Sequence, residues 1–171
     1  VQTCALPIFI FLSALELQAQ WQLMYQTPTN ENIQCASSSD ENTFWFITNF
    51  DRVYKTTDGG TNWTTIIHPV FIPSGLFVVN RETAFKVGYQ SVYRTIDGGN
   101  SWSQVFHNTS SNEIPNVWFK NDSEGVLSFV YQLYKTTDCG ITWSNTSITQ
   151  PPFGTLNSGG KGNIFGKDNS I

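Results

Sequence analysis

Along residues 32–148 apolar and polar positions roughly alternate in short bursts, as in FWFIT from Phe44 and AFKVG from Ala84, with turn-forming residues between the bursts. A period of two is that of a half-buried strand, and the Gly, Asn, Asp and Ser clusters that interrupt it are turn signals. The pattern predicts four strands in each of three successive units: 33–37, 44–48, 53–57 and 63–67; then 76–79, 84–87, 92–96 and 102–106; then 117–119, 126–130, 133–137 and 143–147. Four strands in a unit of about 40 residues make the blade of a β-propeller. The expected fold is therefore all-β, a β-propeller fragment of four-stranded antiparallel blades. Blades fall at about 32–68, 74–107 and 115–148, with a partial one at 153–171, where NIFGKDNSI from Asn163 matches a second strand. On this reading about three and a half blades are present and the ring is not closed.

Three segments superimpose without gaps: YKTTDGGTNW from Tyr54, YRTIDGGNSW from Tyr93 and YKTTDCGITW from Tyr134. Their starts lie 39 and 41 residues apart, and each contains Thr-x-Asp-x-Gly-x-x-Trp. The pattern comprises Thr56, Asp58, Gly60 and Trp63, then Thr95, Asp97, Gly99 and Trp102, then Thr136, Asp138, Gly140 and Trp143. A carboxylate in a tight turn can accept hydrogen bonds from backbone N–H groups of its own loop. The glycine supplies a position where a side chain would clash. Each indole opens the returning strand, where it can bury about 150 to 250 Å². The expected role is a hairpin staple. This pattern resembles the Asp-box, or BNR repeat, of sialidases, sortilin-type receptors, xyloglucanases and photosystem II stability factors. In the resembling sialidases ligands bind on the rim opposite the boxes, which implies that the box carboxylates point away from any ligand.

Composition agrees with short strands and frequent turns, since aromatic residues make up 15% of the chain and charged residues only 13%. The net charge is −4 and the nine Lys and Arg residues are scattered, so no basic stripe exists to follow a phosphate backbone. Nucleic acid is not an expected partner. No run of about 18 apolar residues occurs, so no transmembrane segment is expected in the residues present. Residues 1–8, VQTCALPI, back-translate into a common short-read sequencing adapter and are expected not to be biological. After them FIFLSALELQAQ resembles the apolar core and cleavage region of a signal peptide, with cleavage after Ala19. A secreted or cell-surface protein of bacterial origin is expected, with 9–19 a leader remnant and 20–171 the propeller fragment. Cys35 and Cys139 fall at different places in the repeat and are expected to be free thiols.

Glycoside hydrolysis needs two acids facing each other across the scissile bond at about 5 to 9.5 Å. Beyond the leader and outside the boxes the acids are Glu31, Asp40, Glu41, Asp51, Glu82, Glu113, Asp122, Glu124 and Asp168, and no pair is recognisable among them. Arg52, Arg81 and Arg94 are the only arginines, and the Arg-Ile-Pro signature of sialidases is absent. No catalytic residue and no cofactor is assigned. His68 and His107 follow outer strands at equivalent places but lack a third ligand, so no metal site is expected. Asn62, Asn108, Asn121 and Asn145 lie in Asn-x-Ser/Thr sequons, as chance provides in an Asn- and Thr-rich chain.

The function expected is that of a secreted non-catalytic propeller, a binding or interaction scaffold for a protein, peptide or glycan. The alternative is a fragment of a sialidase-like or xyloglucanase-like hydrolase with its catalytic residues partly outside this chain. Ligand contacts are expected at the turns between second and third strands, which hold Phe50 and Asp51, Tyr89 and Gln90, and Tyr131 and Gln132. An exposed aromatic beside a polar group suits sugar or peptide contact, and packing between blades is the competing reading. WQLMYQ from Trp21 resembles WTTIIH and WSQVFH, the strands that follow the boxes, and Trp21, Trp63, Trp102 and Trp143 are 42, 39 and 41 residues apart. Residues 21–26 are accordingly expected to be an orphan outer strand whose blade is completed by C-terminal sequence beyond this chain.

Overall fold

The computed structural model describes residues 23–67, 73–110 and 113–146. They form three four-stranded sheets, each an antiparallel meander, and no helix. The first blade contains β1 (Ile33–Ser38), β2 (Phe44–Thr48), β3 (Arg52–Thr56) and β4 (Thr64–Ile67). The second contains β5 (Gly75–Val78), β6 (Ala84–Gly88), β7 (Ser91–Thr95) and β8 (Ser103–His107). The third contains β9 (Asn116–Phe119), β10 (Gly125–Ser128), β11 (Leu133–Thr136) and β12 (Ser144–Thr146). Strand order follows chain order in every blade. These are the blades that the alternating pattern predicts, except that Trp63, Trp102 and Trp143 stand one residue before their strands. The expected leader, Trp21, His68 and the partial blade expected at 153–171 lie outside the described residues.

Register decides which side chains meet which blade. In the first blade Trp45 pairs with Lys55 on one face, while Phe46 pairs with Tyr54 on the other. A slip of one residue would exchange these two sets. The core therefore lies between blades. Trp45, Ile47 and Val53 of the first blade close on Val78 and Ala84 of the second. Phe85, Val87 and Val92 of the second close on Phe119, Leu127 and Phe129 around the third. Phe85 stacks on Phe119 with ring centroids 4.5 Å apart, and burying an aromatic of this size stabilises by about 1.5 to 3 kcal/mol. The first strands are innermost: β1 lies beside β5, where the Val78 N–H donates to Ser37 Oγ at 3.0 Å.

Two rims result. The turn between third and fourth strands docks on the turn between first and second strands of its own blade, through Gly59, Gly98 and Cys139 N–H groups that donate to Asn42, Glu82 and Ser123 carbonyls at 2.9 Å. The opposite rim carries the turns between second and third strands and the links between blades. Residues 23–26, expected as part of an outer strand, form no ladder, because no described strand lies on that side to pair with them. Tyr25 instead lies on the open face of the first blade, with its ring centroid 5.6 Å from Phe46, 5.3 Å from Tyr54 and 5.1 Å from Trp63.

Candidate functional site

One rim is built three times from the same atoms. Thr56, Thr95 and Thr136 end their strands with buried side chains. Each hydroxyl donates to the carboxylate two residues on, at 2.7, 2.8 and 2.7 Å from Asp58, Asp97 and Asp138 Oδ1. The same hydroxyls accept the N–H of Gly60, Gly99 and Gly140 at 3.0, 2.9 and 2.9 Å. Oδ1 also takes the backbone N–H of Asn62, Ser101 and Thr142 at 2.9 Å, and Oδ2 takes the side-chain donors of those three residues. The Trp63, Trp102 and Trp143 indoles donate to the Gly60, Gly99 and Gly140 carbonyls at 3.0, 3.0 and 3.2 Å, which holds each ring in the turn rather than in the strand.

Donors from Asn62, Ser101 and Thr142 hold the carboxyls of Asp58, Asp97 and Asp138 down to about 2. Carboxylates so engaged remain ionised and carry no proton to give at neutral pH, so none of these three is a general acid. A second repeated turn was missed by sequence reasoning. Asp40, Asn80 and Asn121 each accept two backbone N–H groups, from Asn42 and Thr43, from Glu82 and Thr83, and from Ser123 and Glu124. Its signal was one Asp or Asn at a constant place ahead of each second strand. Between the first and second blades this rim encloses a cleft of about 280 Å³ lined by Lys55, Asp58, Asn62, Arg81, Glu82 and Asn100. Lys55 stands 4.8 Å over the Trp45 ring, and burial pushes its ammonium pKa down. Both signs of charge line the cleft, so it selects no ligand charge.

The opposite rim separates neighbours in sequence. Phe50, Tyr89 and Tyr131 are 48, 58 and 77% exposed, whereas Asp51 is only 3% exposed. Asp51 and Gln90 take the left-handed conformation, with φ of 53° and 62°, which few residues besides glycine adopt without help. The help comes from the neighbouring blade. Lys86 of β6 donates to both Asp51 oxygens, at 3.1 and 3.2 Å. The expectation that Asp51 meets ligand is thereby corrected: its carboxylate is buried and committed to Lys86. Burial pushes the Lys86 pKa down while Asp51 pulls it back up, and the ammonium also sits 4.9 Å over the Trp102 ring.

Gln90 and Gln132 share a partner in the link between blades. Gln90 N–H donates to the Glu113 carbonyl at 3.0 Å and its own carbonyl accepts Asn108 N–H at 2.9 Å. Asn108 Nδ2 donates to Gln132 Oε1 at 2.6 Å, and Glu113 Oε2 accepts Val130 N–H at 2.9 Å. At the first blade the buried Glu31 binds Arg52 and accepts the Tyr54 hydroxyl at 2.9 Å. Burial, then Glu31, raises the Tyr54 pKa. The outcome is three exposed rings beside Asp51 and Gln132, whose side chains are tied down, and Gln90, whose backbone is. His107 Nδ1 lies 3.0 Å from Ser91 Oγ, and no group of three metal-ligating side chains occurs among the described residues.

No protein-family model matches the chain, and no curated protein matches it. Solved structures do. The chain is similar to a structure described as YCF48 bound to D1 peptide, at 23% identity over 71% of this chain and 42% of that one, with a TM-score of 0.56. It is similar to YCF48 from Cyanidioschyzon merolae at 21% identity over 70% of this chain and 38% of that one, with a TM-score of 0.55. A GH74 enzyme of Niastella koreensis is 17% identical over 71% of this chain and 19% of that one, with a TM-score of 0.59. The chain thus spans less than half the length of each. At these identities the likeness establishes the β-propeller fold.

Proposed function

We propose that this chain is an arc of a secreted or surface-displayed Asp-box propeller that acts as a binding scaffold, taking an extended peptide or glycan across Phe50, Tyr89 and Tyr131. The carrying observation is that these three rings, on three successive blades, stand exposed while the Asp51 and Gln132 side chains and the Gln90 backbone are bonded to neighbouring residues. Exposed aromatics on rigid turns are the side chains that anchor ligands at low entropic cost. A peptide ligand is in keeping with the neighbour described as bound to one. Against the hydrolase alternative, acids near this rim are already engaged: Glu31 by Arg52 and Tyr54, Asp51 by Lys86, and Glu113 by the Val130 N–H.

The test is to screen the full-length protein on peptide and glycan arrays and then to repeat the measurement with Tyr89→Ala and Tyr131→Ala combined. Two aromatic anchors at more than about 1 kcal/mol each predict at least about 10-fold weaker binding of whatever the wild type captures. Unchanged affinity would sink the rim assignment, and release of reducing sugar from captured glycans would favour the hydrolase.

A further inference from the structure

In the cleft between the first and second blades, on the rim of the repeated turns, three charged groups stop short of one another. Lys55 Nζ lies 4.0 Å from Glu82 Oε2, and Arg81 Nε lies 4.0 Å from Glu82 Oε1. Both separations exceed hydrogen-bond length, and a single oxygen at about 2.8 Å from each partner spans such a gap. The Lys55 side chain is only 14% exposed, and its ammonium has no hydrogen bond among the described residues. Gly98 makes the room, since a Cβ there would lie 2.6 Å from Lys55 Nζ and 2.9 Å from Glu82 Oε2.

Asn62 and Asn100 also line the cleft. Their amide nitrogens are held by oxygens, Asn62 by Asp58 Oδ2 at 2.7 Å and Asn100 by the Asp97 carbonyl at 2.6 Å. Each therefore keeps its Oδ1 as an open acceptor among the described residues. The repeat does not impose this chemistry. At the matching place between the second and third blades Ser123 stands for Glu82 and Ile141 for Asn100, and a Cβ, that of Cys139, takes the room that Gly98 leaves.

We infer that this cleft is a second binding site, separate from the aromatic rim, for an uncharged ligand rich in hydroxyl groups, the chemistry of a single sugar ring. A hydroxyl both donates and accepts, so one placed between Lys55 and Glu82 accepts from the ammonium and donates to the carboxylate. Further hydroxyls donate to the Asn62 and Asn100 oxygens. An anion meets Glu82 and Asp58 here, and a cation meets Lys55 and Arg81, so neither charge is favoured. The volume of about 280 Å³ falls just below the usual range of about 300–1,000 Å³ for small-ligand sites, which restricts the occupant to one ring. The inference does not rest on the ligand proposed for Phe50, Tyr89 and Tyr131, which stand on the opposite rim.

NMR titration of the full-length protein with D-glucose, D-galactose, D-xylose and N-acetylglucosamine tests it. At least one of these is expected to shift the Lys55, Glu82 and Asn100 signals saturably. Lys55→Met, which keeps the stem over Trp45, and Glu82→Ala, in an exposed turn, are each expected to weaken that binding at least about 10-fold, as loss of a hydrogen bond to a charged group does. Tyr89→Ala combined with Tyr131→Ala is expected to leave it unchanged, whatever that pair does to ligands of the other rim. Absence of saturable shifts with all four sugars would overturn the site, and so would full affinity in a folded Glu82→Ala variant. Tighter binding of inorganic phosphate than of any sugar would overturn the choice of an uncharged ligand.

Discussion

Lys86 reaches back across a blade boundary and places its ammonium 3.1 Å from the Asp51 carboxylate of the preceding blade, with the two side chains 0 and 4% exposed. In the first and third blades the register position of Lys86 holds Phe46 and Leu127. The second blade therefore carries a charge in a row that is otherwise apolar, and the charge is tolerated because Asp51 meets it. Removing one member of such a pair strands the other. Lys86→Met is expected to cost about 3 to 5 kcal/mol. Adding Asp51→Asn should return most of that loss, since asparagine is uncharged and accepts the left-handed backbone. Urea denaturation of both single variants and the double variant measures the coupling, and strictly additive losses would refute it.

The threonine of the repeated turn is expected to matter as much as the aspartate. Thr95→Val keeps the shape but leaves the Gly99 N–H buried without its acceptor, at a cost of about 1 to 3 kcal/mol. Thr95→Ser retains the hydroxyl and loses one buried methyl, about 0.8 kcal/mol. Equal losses in the two variants would remove the hydroxyl from its central role in the turn.

Acid should loosen the three turns together. Asp58, Asp97 and Asp138 have folded pKa values near 2 against an ordinary 3.8, so on acidification the unfolded chain takes up protons first. Their contribution is complete above about pH 5 and is lost as the pH falls through 4 towards 2. A melting temperature that declines across that window is expected, with a shallower decline in Asp97→Asn. An unchanged slope in that variant would locate the acid sensitivity elsewhere.

Cys139 occupies a place where the other two turns have glycine, at φ 64° against 69° for Gly59 and 72° for Gly98. A left-handed non-glycine residue costs about 1 to 2 kcal/mol, and glycine's greater freedom in the unfolded chain returns about 0.5 to 1 of it. Cys139→Gly is thus expected to stabilise by at most about 1.5 kcal/mol. Gly140→Ala should do the opposite, by about 2 to 4 kcal/mol, because its φ is 74° and the new Cβ would stand 2.6 Å from the Phe85 ring. Denaturant midpoints of the two variants moving in the same direction would contradict this account.

Strand positions and the four-strand unit were legible because each depends on side chains within a few residues of one another: the alternation that makes FWFIT a strand, and the Thr, Asp, Gly and Trp that close one turn on itself. The rim was legible only in part. Phe50 and Asp51 are adjacent and looked like one contact surface, yet one faces solvent and the other is buried. The residue that separates them is Lys86, 35 positions away and in another blade. Asn108 likewise reads as a sequon, and only its bond to Gln132 shows that its amide is spent joining the second rim turn to the third.

The amino-acid sequence by itself determined the β class, the length of the repeat and the chemistry of its turns, since local hydrogen bonds and a period of two need no knowledge of distant partners. Tertiary structure alone decided which face of each strand meets which blade, which rim residues remain free and what seats each glycine. Those outcomes depend on blade-to-blade packing, in which Trp45 meets Gly99 and Phe85 meets Gly140. Contacts so far apart in sequence leave no mark in the spacing of either partner.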